Sequence, residues 1–200
     1  WNLTRLAESI LPLLVMEEGS EEAGLASAYA ALETFGPHFE AAREAALRRK
    51  LGLTTPHDDD TALAEDLLQR MAANRADFTL TFRRLAEAAE DTTQEANVRI
   101  LFADPSAFDA WAIQWRQRLA LDPSAPGERA AGMLRSNPAI IPRNHQVQAV
   151  IDAAVLRQDF QPFHDLLDAV TKPNQIAPGT ERFTVPALPN ECVLQTFCGT

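Results

Sequence analysis

Apolar residues recur every three to four positions over most of this chain, and that period decides its fold class. In the first segment Leu3, Leu6, Ala7, Ile10 and Leu14 follow the i, i+3, i+4, i+7 order of one buried helical face. The run Ile10-Leu11-Pro12-Leu13-Leu14-Val15-Met16 is short and interrupted by proline, so it reads as core. An alanine-rich stretch from about Glu21 to Leu51 reads as two helices divided at Gly36-Pro37, with Gly52 as a C-cap. Further helices are expected with inner faces Leu63/Leu67/Leu68/Met71, Phe78/Phe82/Leu85/Ala89, Phe108/Trp111/Ile113/Trp115, Val147/Val150/Ile151/Ala154 and Phe163/Leu166/Leu167/Val170. Asp77 is a cap candidate, Asp104-Pro105 is a cap followed by a first-turn proline, and Asp122-Pro123 to Pro126-Gly127 reads as a turn. Alternation of the strand type is nearly absent, and the expected fold is all-α.

Near position 172 the texture changes. Pro178, Pro186 and Pro189 forbid regular helix beyond Pro173. The expected organisation is therefore a helical domain over 1–172 and an extended arm over 173–200 that ends in Thr196-Phe197-Cys198-Gly199-Thr200.

Charge and composition exclude several function classes. A net charge of −10 disfavours nonspecific nucleic-acid binding, which needs Lys and Arg against phosphates. No apolar run approaches the roughly 18 residues of a membrane helix, and no basic leader of the secretory type is visible. Trp1 stands where an initiator methionine would, which reads as a processed or truncated chain. Two cysteines do not make a disulfide framework, so a reducing, cytoplasmic compartment is expected. Eight glycines are scattered without a phosphate-cradling pattern, so no nucleotide site is visible.

Candidate chemistry is sparse. His57, Asp58, Asp59 and Asp60 carry ligand-type groups, but acids at a helix start are explained by the helix dipole. His164 and Asp168 share a helical face and read as surface hydrogen-bonding groups. Trp111 and Trp115 read as core anchors. The segment Asn137-Pro138-Ala139-Ile140-Ile141-Pro142-Arg143-Asn144-His145 reads as a rigid elbow in which Asn144 caps the next helix. Arg143, Asn144 and His145 are candidates for docking against another domain. Cys192 and Cys198 are spaced C-x5-C, neither a redox pair nor a zinc knuckle. Their separation would allow a small loop disulfide, at an ordering cost, and spacing leaves open two free thiols or a bond from Cys198 to a distant partner.

Several blocks, in this order, resemble the C-terminal portion of the selenoprotein O family, kinase-fold proteins that act as protein adenylyltransferases. They are Trp1-Asn2-Leu3-x-Arg5-Leu6-Ala7, Lys50-Leu51-Gly52-Leu53, and Asp66-Leu67-Leu68 with Met71. Ala76-Asp77-Phe78-Thr79-x-Thr81-Phe82-Arg83-x-Leu85 follows, then Asn137-Pro138 with Ile141-Pro142-Arg143-Asn144-His145, and finally the Thr196–Thr200 tail. The resemblance implies a helical extension of a kinase-like C-lobe. It also implies that ATP, magnesium and the catalytic residues belong to a half that lies before the Trp-Asn-Leu block. No catalytic, cofactor-binding or metal-ligating residue is assigned here, and the chain alone is expected neither to bind ATP nor to transfer nucleotide. Cys198 matches the family's redox-sensitive cysteine or selenocysteine, third from the end, which links to the kinase-like part. The implied partners are that missing half and the protein substrates that receive AMP on Ser, Thr or Tyr. The helix near Trp1–Leu14 would then expose apolar surface left by its missing neighbours. Two other classes are set beside this reading: an autonomous helical interaction module, and a thiol oxidoreductase built on Cys198.

Overall fold

Local chemistry sets where each helix begins and ends. In the computed structural model, which describes residues 1–193, α1 (Asn2–Glu18) stops at Gly19, where φ is +80° and the Gly19 N–H donates to Val15 O. Glycine takes this left-handed conformation without the Cβ penalty other residues meet. Ser20 then opens α2 (Glu21–Glu33) by accepting the Ala23 N–H at 3.2 Å. Asp77 caps α5 (Phe78–Glu90) through the Leu80 N–H at 2.8 Å. Asp104 caps α7 (Pro105–Leu121) through Ser106, with Pro105 where its missing N–H costs nothing.

The chain divides into two units, residues 1–46 and 47–200. The first holds α1, α2 and the start of α3 (Phe35–Leu51). Here α1 and α2 pack as a hairpin, and Gly24 permits the approach, because a Cβ there would lie 2.9 Å from Val15 Cγ2. The division between α2 and α3 falls at Thr34, not at Gly36-Pro37. Proline is tolerated in a first turn, where its missing N–H has no intrahelical partner. The reading of Ile10–Met16 as core is corrected: no residue of α1 is buried, and Leu13 and Met16 are 65% and 81% exposed.

The second unit adds α4 (Asp60–Ala73), α5, α6 (Glu95–Arg99), α7, α8 (Pro126–Ser136), α9 (Asn144–Arg157) and α10 (Gln161–Val170). Among the described residues there is no strand, so the fold is all-α. Its main core gathers Leu51, Leu53, Leu63, Leu67, Phe82, Leu85, Phe108, Trp111, Trp115 and Met133. Trp111 and Trp115 stack at 5.4 Å between ring centroids. Their buried indole N–H groups donate to Leu63 O (2.9 Å) and Leu51 O (3.0 Å), so neither ring leaves an unpaired donor in the core. A smaller cluster of Ala139, Ile140, Leu166, Ala169 and Phe183 gathers the elbow, α10 and a short 3₁₀ turn at Glu181–Thr184.

Several inner-face expectations are corrected. Ile113 (61% exposed), Phe78, Ile151, Phe163 and Leu167 face outward. In α9 the buried residue is Ala153, one position from the expected Ala154. The stretch from Pro126, read as part of a turn, opens α8, because proline is as well suited to a first helical position as to a turn.

At the end of α3, Gly52 has φ +77° and its N–H donates to Arg49 O, while Leu53 N–H donates to Arg48 O. This is a Schellman closure, and Leu53 packs with Leu47 in the same core. A Cβ at Gly52 would stand 2.6 Å from Met133 Sδ and 2.7 Å from Arg129 Cγ. Gly52→Ala is therefore expected to lose about 2–4 kcal/mol of stability, from the left-handed penalty and overpacking together. Urea unfolding would check this, with a lowered midpoint at unchanged slope.

Candidate functional site

The elbow residues meet the end of the described chain in one cleft. Asn137 is fully buried, donates from Nδ2 to Lys50 O (3.0 Å), and accepts from Lys50 Nζ (3.1 Å). Ala139 and Ile140 both donate to Pro173 O, at 2.7 and 3.0 Å. These bonds fix the backbone before Arg143. Its guanidinium then grips Asp77 with both Nη atoms, at 2.7 and 3.1 Å. The same carboxylate caps α5, so one aspartate joins the α5 start to the α9 start.

The capping role expected of Asn144 is corrected. Arg143 occupies the N-cap position with φ −66° and ψ 136°, without a side-chain cap, and Asn144 is the first helical residue. Arg143 O accepts the Val147 N–H, which starts the helix one residue earlier than the capping rule suggests.

A cleft of about 390 Å³ is lined by Asp77, Arg143, Asn144, His145, Pro186 and Cys192, among others. Asn144 is exposed and His145 half-buried, with its Nε2 3.1 Å from Gln146 Nε2. Cys192 is an exposed free thiol whose Sγ donates to Leu188 O at 3.5 Å. Thiol and imidazole thus share a cleft, while each makes its hydrogen bond elsewhere. Cys198 lies outside the described residues.

The other sequence candidates scatter. His57 Nδ1 lies 3.7 Å from Asp59, and Asp165 pairs with Arg182 at 2.6 Å. His164 packs edge-on against Phe163, and Trp1 is 87% exposed with Arg5 over its ring. Among the described residues no group of three or more His, Cys, Asp or Glu comes together to hold a metal ion. Lys50, the lysine of the Lys-Leu-Gly-Leu block, is committed to Asn137, Ser136 O and the faces of Phe78 and Phe82, and burial lowers its pKa. These residues do not fit a magnesium-nucleotide group.

Sequence reading missed a set of buried charges. Asp60, expected in a solvated helix start, is 3% exposed and bound by Arg118 Nε at 2.7 Å. Arg118 also donates to Thr55 O. Asp122 accepts from Thr54 and Thr55 N–H and from the hydroxyls of Thr54, Thr55 and Ser124. A signal for Arg118 was available: it lies three positions after Trp115 and seven after Trp111, on the buried stripe of α7.

Burial opposes charge on Asp77, but the Arg143 hydrogen bonds, the Leu80 and Thr79 N–H donors and the Arg143 charge outweigh it. They hold the carboxyl below its usual range. A depressed carboxyl contributes stability that is present above its unfolded value and is lost as pH falls through the folded one. Asp77→Ala is expected to lose about 2–4 kcal/mol at neutral pH, from a broken, largely buried pair and a lost cap. Asp77→Asn, which keeps the cap, should lose less, and denaturant titrations of both variants would check the order. Burial likewise opposes charge on Asp122, and the N–H and hydroxyl donors of Ser124, Thr54 and Thr55 hold the carboxyl far below the ordinary range. Acid unfolding should therefore begin as pH drops below about 4. Asp122→Asn should flatten that acid limb while lowering stability at neutral pH, as circular dichroism against pH would show.

The family model for protein adenylyltransferase SelO matches residues 1–171. Protein nucleotidyltransferase YdiU of Rhodopseudomonas palustris strain BisB5 is 50% identical over the whole chain, which covers 40% of that protein. The Methylorubrum populi protein of the same name is 51% identical over 207 residues, covering 41% of its length. The Bradyrhizobium sp. strain ORS 278 protein is 49% identical over 200 residues. The chain thus spans about two fifths of the length of these curated relatives. With the family's model matched from Trp1 through α10, the chain belongs to the SelO family of protein adenylyltransferases.

Proposed function

We propose that this chain is the C-terminal helical portion of a cytoplasmic protein nucleotidyltransferase. In the whole protein, AMP passes from ATP to hydroxyl groups of protein substrates. The ATP site, its magnesium and the reacting groups belong to the kinase-like part outside these residues. The helices here buttress that part, and Cys198 supplies a redox-sensitive tail. Arg143, Asn144 and His145 form a second docking element, with Arg143 held in place by Asp77 and the exposed Asn144 offered outward.

One observation carries this reading. Within the first unit, Leu3, Leu6, Ile10 and Phe35 line an open apolar groove of about 370 Å³ and remain 40%, 55%, 39% and 51% exposed. Covering such residues stabilises by about 1.5–3 kcal/mol each, so a hairpin with this face has a strong drive toward a covering partner.

The test is reconstitution. Incubated with radiolabelled ATP, magnesium and acceptor protein, the 200-residue chain alone is expected to transfer no AMP. Coexpressed with the N-terminal three fifths of the Rhodopseudomonas relative, it should co-purify with that part and restore labelling. Leu6→Asp and Ile10→Asp, both at exposed positions, should abolish co-purification while helical content is unchanged. AMP incorporation by the chain alone would overturn the proposal, as would co-purification indifferent to both variants.

A further inference from the structure

Three arginines converge on a cleft in the second unit, although the chain as a whole carries a charge of −10. The cleft, about 380 Å³, lies where the end of α3 meets α8. Arg49, Arg129, Arg135 and Ser136 line it, with Glu128 as the acid among its lining residues.

Arg129 forms part of the wall and is nine-tenths buried, its side chain 7% exposed. Its Nη2 is committed to the carbonyls of Leu119, Asp122 and Ser124, at 3.1, 3.4 and 2.9 Å, and lies 4.0 Å from the buried Asp122 carboxylate. Its Nη1 has no acceptor among the described residues, and its Nε is sealed without one. Arg49 and Arg135 are exposed, and neither guanidinium has an acidic partner among the described residues. The Arg135 guanidinium lies back over Gly132, where a Cβ would stand 3.7 Å from Nη2.

Cations often sit in the last turn of a helix to answer its exposed carbonyls. That explanation is already used up here. Gly52 and Leu53 N–H groups close Arg49 O and Arg48 O of α3. In α8, Arg83 takes Leu134 O, Asn174 takes Arg135 O, and Lys50 takes Ser136 O. The Arg49 and Arg135 guanidinium groups are therefore surplus to helix closure, and both line the cleft in which Arg129 has a spare donor.

Guanidinium forks match the oxygen spacing of phosphate, and a cleft lined mainly by one sign of charge concentrates the opposite ion. We propose that this cleft is a binding site for a phosphate-type inorganic oxyanion. Arg49 and Arg135 clasp it, the Arg129 Nη1 forms the floor, and the Ser136 hydroxyl donates from the side. The site is separate from the elbow cleft and does not rest on the AMP-transfer reading.

The test is isothermal titration of the 200-residue chain with inorganic phosphate and, separately, pyrophosphate, at ionic strength matched by chloride. Saturable binding of at least one of the two ions is expected, with adenosine giving no heat. Arg49→Gln and Arg135→Gln, at exposed positions that leave the core intact, should each weaken binding by about tenfold or more, the loss of a charge-assisted hydrogen bond. Circular dichroism would confirm that both variants keep the parent helical content. Heats indistinguishable from the chloride control would overturn the proposal. So would saturable binding that survives the double variant unchanged.

Discussion

The second unit depends on how the end of α3 is held. Four backbone carbonyls at a helix C-terminus have no partner inside the helix, and each must be answered if the end is buried. Here the answer comes from distant places in the chain. Gly52 turns left-handed and closes Arg49 O, and Leu53 closes Arg48 O. Asn137, 87 residues on, closes Lys50 O. Trp115 closes Leu51 O from the middle of the core. One helix end therefore fixes the depth of α7, the elbow after α8 and the position of Lys50. A dry core grows around a polar knot that is fully paired, which is the condition under which buried polar groups specify a structure.

The buried charges obey the same logic. Asp60, Arg118 and Asp122 are buried, where an unpaired charge would be costly. Each is paired or surrounded by donors, and each joins the loop between α3 and α4 to α7 or the loop after it. Such pairs add less net stability than their short distances suggest, since desolvation offsets attraction. Their effect is on arrangement: a register of α4 against α7 that parted Arg118 from Asp60 would leave both charges buried and alone.

Period and punctuation made much of this fold legible. The glycine at 52, the aspartates at 77 and 104 and the tryptophans at 111 and 115 act through local or helical rules, and the structure uses them as those rules require. What stayed hidden depends on tertiary partners. Asn144 has the better capping side chain, yet it is the first helical residue, and the residue before it, Arg143, is held by Asp77, 66 residues earlier. Asp60 looks like one of three interchangeable acids until Arg118 is placed over it. Ile151, Phe163 and Leu167 fit a periodic inner face but lie outside it. A helical period gives the width of an apolar stripe without saying which edge is covered.

In the first unit the apolar stripe of α1 was legible residue by residue, and it is uncovered. A hairpin of this composition does not reach low free energy by itself, because the residues that would be buried on folding remain in water. The second unit closes two clusters with its own side chains, although Ile113, Val155, Leu156 and Phe160 remain exposed on it. The hairpin of the first unit thus carries an apolar face that its own helices leave open. The family's relatives carry about three fifths more of their length beyond what is matched here, ample material to supply that cover.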